Sequence, residues 1–336
     1  MPAHAQTDQV QIDHVQIIGG GSWGLALAAH LARLGRPVRL WCREEDKPAQ
    51  LRETRRSPFF LPGFELPGEV EVVDEVATAP EVAVFAVPSH AMRDAATRFV
   101  FPPGTLRVSV AKGIETDTLE RMSEVLAGAA PGGPVAALSG PSHAEEVAFG
   151  LPASLVAASP GPEPRTRIQE VFNSDTLRVY TSPDLTGVEL GGALKNVVAI
   201  AAGICDGLAL GDNARAALIT RGLAEMRRLG EAYGAQALTF AGLSGMGDLI
   251  VTCTSRHSRN RALGEGIAQG KSLEALLGGS PMVSEGVRTA KAARALAARA
   301  NIDMPITSEV CAMLFEGKSP ADAIRALLTR DPRPEV

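Results

Sequence analysis

Several charged side chains stand where charge is costly or where a cleft would form. Lys195 lies inside Leu190-Gly-Gly-Ala-Leu-Lys-Asn-Val-Val-Ala-Ile-Ala-Ala-Gly-Ile204, a segment apolar nearly all round. Its ammonium is therefore either desolvated or snorkels to water from one helix face. Desolvation lowers the proton affinity of an amine towards working pH, which suits a general acid or base. Lys112 follows the apolar run Leu106-Arg-Val-Ser-Val-Ala111 and precedes Gly113; at a strand end it overhangs a cleft or is a surface turn lysine. Asp248 closes Gly245-Met-Gly-Asp248, either as an ordinary turn aspartate or as the group that orients a lysine or a substrate hydroxyl. Ser258-Arg259-Asn260 offers a hydroxyl, a guanidinium and an amide in succession, with Arg256, His257 and Arg261 adding positive charge. A guanidinium grips two phosphate oxygens together, while the same residues equally suit the cap of a helix starting near Asn260. His90 and His143 either polarise a substrate or, as such histidines more often do, shape a loop. The cysteines Cys42, Cys205, Cys253 and Cys311 lie far apart, so no metal site is expected.

Something must hold these groups at one place. His14-Val-Gln-Ile-Ile-Gly19 is a short apolar run that stops at Gly19-Gly-Gly-Ser-Trp-Gly24. That string is G-x-G-x-x-G at Gly19, Gly21 and Gly24, and helical spacing follows it up to Gly35. The first glycine permits a tight turn, the second lets a pyrophosphate approach the backbone, and the third packs helix on strand. Ser22 and Trp23 open the helix, whose free N–H groups favour phosphate oxygens; Trp23 either stacks near a cofactor or packs at the helix start. Pro37-Val-Arg-Leu-Trp41 then reads as a second strand, and strand–helix–strand in this order implies parallel pairing. At its end Arg43 suits a ribose 2′-phosphate, whereas Glu44 and Glu45 just behind suit a 2′-hydroxyl. NADP(H) is preferred, and NAD(H) stays open.

Further strands are expected at residues 70–73, 82–87, 106–111, 134–138 and 153–158, with polar or glycine-rich turns at several of their ends. From about Asp184 the pattern turns helical, including residues 212–230, 272–277 and 288–300. The expected fold is α/β, with an N-terminal Rossmann-type dinucleotide-binding domain over residues 14–183 and an all-α C-terminal domain over 184–330. A length of 336 residues fits two domains. The net charge of −5 argues against a nucleic-acid partner, and a local cluster of cations still leaves room for an anionic substrate. The apolar runs look shorter than the ~18 residues of a membrane span. The first residues lack a basic start followed by an apolar stretch, so a cytoplasmic protein is expected. An Ala-rich helical domain suits a homodimer.

Beyond the glycine motif, Ala86-Val-Pro-Ser-His90, Ala111-Lys-Gly-Ile-Glu115, Leu138-Ser-Gly-Pro-Ser142 and Glu189-Leu-Gly-Gly-Ala-Leu-Lys-Asn196 form a series of blocks. They continue as Gly211-Asp-Asn-Ala-Arg-Ala-Ala-Leu-Ile-Thr-Arg221, Gly242-Leu-Ser-Gly-Met-Gly-Asp-Leu249 and Ser258-Arg-Asn260. In kind and order the series resembles the NAD(P)-dependent glycerol-3-phosphate dehydrogenases, over about Val15 to Phe315. The resemblance implies interconversion of dihydroxyacetone phosphate and sn-glycerol 3-phosphate by hydride transfer, supplying glycerol phosphate to membrane lipids. It makes Lys195 the proton donor and puts Lys112 on substrate and cofactor, with Asp248 beside them. It sets Gly140, Ser142, Ser258, Arg259 and Asn260 on the substrate, Arg259 also touching the cofactor. Ala144 is expected near the nicotinamide, and Val283 and Glu285 in Met282-Val-Ser-Glu-Gly286 match a further cofactor-contacting turn. Ser142 stands where the family also uses Thr, which keeps the hydroxyl. Related dehydrogenases of the ketopantoate, hydroxyacyl-CoA or opine type share this plan, but the Ser258-Arg-Asn260 and Leu194-Lys-Asn196 blocks together suit a small phosphorylated ketone. A non-catalytic NADP(H) sensor would not need Lys195, Lys112 and Asp248 together.

Overall fold

Short strands buried on both faces are the material of a parallel sheet covered by helices, and the first half of this chain supplies them. In the computed structural model, which describes residues 14–129, 132–278, 285–332 and 334, β1 (Val15–Ile18) and β4 (Val82–Phe85) are buried at every position. Around them lie β2 (Val38–Trp41), β3 (Val70–Val73), β5 (Leu106–Ser109) and β6 (Val135–Ser139). β7 (Ala153–Ala158) and β8 (Leu177–Ser182) complete one sheet of order β3-β2-β1-β4-β5-β6-β7-β8. The helices among them are α1 (Ser22–Arg33), α2 (Pro48–Thr54), α3 (Met92–Arg98), α4 (Met122–Ala129), α5 (Ala144–Ala148) and α6 (Pro162–Phe172). α1 ends through Leu34, and Gly35 follows in the left-handed region at φ +68°.

Two features depart from the sequence expectation. β7 pairs antiparallel with β6, so β7 and β8 run against the other strands. The segment after β6 forms only the short α5 instead of a crossover that returns to the start of the sheet, so β7 enters from the near end. β8 was not among the expected strands: its alternating buried and exposed residues mark a half-solvated edge with a weaker apolar run.

Beyond Ser182 the chain is helical. The elements are α7 (Leu185–Gly207), α8 (Asp212–Ala232), α9 (Ala237–Ala241), a π-helical turn at Leu243–Gly247, α10 (Asp248–Thr254) and α11 (Arg259–Ala268). α12 (Leu273–Leu277), α13 (Glu285–Ala300), α14 (Pro305–Phe315) and α15 (Pro320–Leu328) follow. Asp184 caps α7 by accepting from the Gly187 N–H at 2.8 Å. α7 is the axis of this half, packed by α8, α10, α11 and α13. By length and composition it would pass for a membrane span, contrary to the shorter runs expected, but its apolar stretch is buried inside the protein. Glu189 ties it to the sheet half, accepting from the Ser123 N–H and from Arg121 Nη1, both at 2.8 Å. That anchorage brings Lys195 of α7 to the carboxyl ends of β5 and β6.

Candidate active site

The glycine turn follows from steric limits that act within a few residues. Gly19 has φ +120°, and a Cβ there would sit 2.4 Å from the Ala86 carbonyl oxygen. A Cβ on Gly24 would fall 1.9 Å from the Gly19 carbonyl oxygen, so α1 reaches β1 only with glycine at that position. Gly21 is different: nothing lies within 4 Å of a Cβ placed there, and it stands at the N-cap of α1 without a side-chain cap. The backbone N–H groups of the first turn, at Ser22, Trp23 and Gly24, lack intrahelical partners. A pyrophosphate fits these features. Trp23 packs in the same apolar cluster as Ala144 and Ala86, and its Nε1 is buried without a hydrogen-bond partner among the described residues.

Beside the turn, a cavity of about 400 Å³ is lined by Trp41, Cys42, Arg43, Glu44, Asp74 and Arg98, among others. Arg43 reaches it from the end of β2, held by Asp46 at 3.1 Å and still 58% exposed. Glu44 and Glu45 are solvent-exposed.

Lys112, three residues past β5, donates to the Gly140 carbonyl at 2.7 Å, to Ser142 Oγ at 3.3 Å and to Asp248 Oδ2 at 2.8 Å. Asp248 opens α10 and is only 1% exposed. Its other oxygen, Oδ1, accepts from Lys195 Nζ at 2.7 Å. One buried carboxylate thus holds two ammonium groups from different halves of the molecule. Burial alone would raise the Asp248 pKa, but the charges of Lys112 and Lys195 outweigh it and hold it below the usual carboxylate value. Burial also dominates at Lys195, drawing its pKa down to about 8; Asp248 opposes the fall and Lys112 adds to it. Lys195 therefore exchanges a proton near neutrality.

Some partners were not expected. Thr252 Oγ1 accepts from Lys195 at 2.6 Å and donates to the Asp248 carbonyl at 2.6 Å. The signal was Asp248-x-x-x-Thr252, which puts both on one face of a helix. Asn196 joins the two halves, donating to the Lys112 carbonyl at 3.0 Å and accepting from Asn260 Nδ2 at 2.9 Å. Gly191 lies one helical turn before Lys195, where a glycine could leave room for a ligand. The space is filled instead, since a Cβ there would meet the Ser244 carbonyl oxygen of the π-helical turn at 2.6 Å. That is close packing of two backbones. Gly192 is the glycine facing Lys112: a Cβ there would meet Ser139 Oγ at 2.6 Å and Lys112 Cγ at 3.5 Å.

Ser258 caps α11, its Oγ accepting from the Arg261 N–H at 3.3 Å, so the capping alternative is realised at this position. The hydroxyl proton is not used in that bond. Asn260 is buried and accepts from the Gly286 N–H at 3.1 Å. Arg259 is reached by solvent, yet the surrounding protein disfavours its charge and lowers its pKa, with Glu145 and Glu285 pulling the other way. Glu285 accepts from the Ser89 N–H at 3.0 Å and from Ser89 Oγ at 2.5 Å, next to Gly113. Val283 lies outside the described residues. His90 is exposed, and partial burial and Arg288 keep its pKa below the ordinary value.

A glycine-turn cleft with a buried lysine–carboxylate–lysine cluster at its side is an arrangement for cofactor-dependent chemistry on a carbonyl. Residues 14–164 match the family described as NAD-dependent glycerol-3-phosphate dehydrogenase N-terminus, and residues 184–325 match the C-terminus of the same family. The chain belongs to the NAD-dependent glycerol-3-phosphate dehydrogenase family. It is 49% identical over 324 residues to a glycerol-3-phosphate dehydrogenase [NAD(P)+] of Pelotomaculum thermopropionicum, covering 94% of this chain and 93% of that one. A second relative of that name, from Salinibacter ruber, is 50% identical over 330 residues, covering 96% of each. The crystal structure of glycerol-3-phosphate dehydrogenase from Coxiella burnetii superposes with a TM-score of 0.89 at 37% identity, covering 94% of this chain and 99% of that one.

Proposed function

We infer that this dehydrogenase interconverts dihydroxyacetone phosphate and sn-glycerol 3-phosphate with NAD(P)H, supplying glycerol phosphate for phospholipid synthesis. The observation that carries the mechanism is the pair of ammonium groups held by Asp248 at the carboxyl ends of the strands. The bound nicotinamide supplies or accepts the hydride. In reduction Lys195 gives its proton to the carbonyl oxygen of the substrate, and that oxygen, still bound to its carbon, becomes the hydroxyl of the product. In oxidation the neutral amine takes the proton back. Lys112 stabilises negative charge developing on the same oxygen, and Asp248 with Thr252 fixes the position of the Lys195 ammonium. Gly140 and Ser142 bound the substrate through their contacts with Lys112. Arg259 receives the phosphate, with Ser258 and Asn260 shaping the approach and Arg259 also reaching the cofactor.

Gly19, Gly21, Ser22, Trp23 and Gly24 form the cofactor turn in this reading, with Ala144 on the nicotinamide side and Val283 and Glu285 on a second cofactor-contacting segment. Arg43 at the mouth of the β2 cavity favours NADP(H) over NAD(H). The change from sheet to helix after residue 183 divides a cofactor domain from a substrate domain. The protein works as a cytoplasmic homodimer.

Following NADPH oxidation by absorbance tests the reading. Turnover with dihydroxyacetone phosphate, and far slower turnover with unphosphorylated dihydroxyacetone, is expected. NADPH binding without turnover of the phosphorylated ketone would overturn it.

A further inference from the structure

His143 follows Ser142 directly and stands at the N-cap of α5, so it hangs from the turn that supplies two of the acceptors of Lys112. Its Nε2 is buried and has no hydrogen-bond partner among the described residues. Buried polar atoms are nearly always paired, and one left open beside a reaction site is a place for a ligand atom. The ring also leans on His257, with centroids 5.8 Å apart and planes at 53°. His257 belongs to the segment between α10 and α11, two residues before Arg259. His143 therefore lies between the lysine pair and the segment that carries Arg259.

The surroundings select the kind of ligand. Lys195 comes from α7 and Lys112 from the end of β5, while Glu145 and Glu146 stand on α5 itself. Burial and the two lysines lower the pKa of the imidazole against the pull of those carboxylates, which favours its neutral form. A neutral imidazole can donate one N–H without adding a third charge to the lysine pair, and the positive field around it attracts an anion.

We propose that His143 is a substrate-binding residue whose Nε2–H donates a hydrogen bond to the phosphate group of the three-carbon substrate. This rests on the function inferred above and adds a residue that reads the phosphate end. His257 supports the ring, and the two imidazoles, one from each half of the molecule, wall the cleft between Lys112 and Arg259.

Steady-state kinetics of His143→Leu and His143→Gln at saturating NADPH test this, with dihydroxyacetone phosphate and dihydroxyacetone as alternative substrates. His143→Leu is expected to raise KM for the phosphorylated ketone about tenfold, leaving kcat within about twofold. It should leave kcat/KM for dihydroxyacetone and NADPH affinity unchanged. His143→Gln, whose amide still donates, should recover most of the loss. Equal losses on both ketones, an unchanged KM, or a parallel loss of NADPH affinity would each overturn the proposal. Inhibition by inorganic phosphate separates it from the broader reading. A wild type that fails to reduce dihydroxyacetone phosphate, but whose turnover of dihydroxyacetone is inhibited by phosphate and less so in His143→Leu, sinks only the substrate assignment. A wild type that turns over normally, with phosphate inhibition equal in both, sinks only the role of His143.

Discussion

The glycine turn after β1 and the lysine pair beside α7 lie at the same end of the sheet and are built from opposite materials. At the turn the available polar groups are backbone N–H donors, and a side chain at Gly24 is excluded because its Cβ would overlap the Gly19 carbonyl. At the lysine pair the polar groups are side chains, drawn out of water and balanced against one carboxylate that is 1% exposed. The first region has a fixed shape and no titratable group. The second stores electrostatic work, so its chemistry depends on pH and on each member of the network. In the proposed function the same cleft combines a rigid holder with a poised proton exchanger, so variants in the two regions should fail in different ways.

The sharpest contrast is expected from Lys195→Ala, which should lower kcat about 1000-fold while NADPH binding, followed by fluorescence titration, stays near wild type. Normal turnover in that variant would break the comparison. The pH profile of the wild type sharpens it. Reduction needs the protonated amine, so kcat/KM should hold at lower pH and fall as pH rises through about 8; oxidation needs the neutral amine and should rise through the same value. A profile flat across that range would remove Lys195 from proton transfer.

Asp248→Asn should cost somewhat less in rate, about 100-fold in kcat/KM, because Lys195 remains but loses its balancing charge. The buried ammonium of Lys195 and the half-buried one of Lys112, left without the carboxylate, should also lower stability by about 3 kcal/mol, measurable by denaturant unfolding. The reduction profile should move to lower pH, since the carboxylate that raises the Lys195 pKa is lost. Loss of rate with no movement of the profile would show that Asp248 acts only on geometry.

On the backbone side, Gly24→Ala should push α1 off β1 at a cost of about 1–3 kcal/mol, seen as weaker NADPH binding. In that variant kcat at saturating NADPH should stay close to wild type, the reverse of the Lys195 result. The smallest effect is expected from Arg43→Ala, which should reduce the preference for NADPH over NADH about tenfold in kcat/KM with turnover otherwise intact. An unchanged ratio would move the choice of cofactor to other residues of the cavity, of which Arg98 also carries positive charge.

Legibility in the sequence followed the range of the interactions. β1, the glycine turn and α1 were readable because a strand, a φ of +120° and a helix start are decided within a dozen neighbouring residues. β7 was readable as a strand but not its reversed direction, which depends on the path of residues 140–152 over the rest of the sheet. Lys195 was conspicuous as a cation among apolar residues. Thr252 was not, because threonine in a helix is ordinary until a lysine donates to it. Gly191 and Gly192 are indistinguishable as letters, and only packing shows that one meets the π-helical turn and the other faces Lys112.

What the sequence determined by itself was the set of local conformations and the family to which its blocks conform. The active lysine pair was decided by the tertiary structure, because Lys112 and Asp248 are 136 residues apart and Lys195 and Asp248 are 53 apart. Their proximity exists only once α7 is packed against the sheet. The depressed pKa of Lys195 arises in the same way, since desolvation comes from the protein packed around the ammonium and from no single neighbour in the chain.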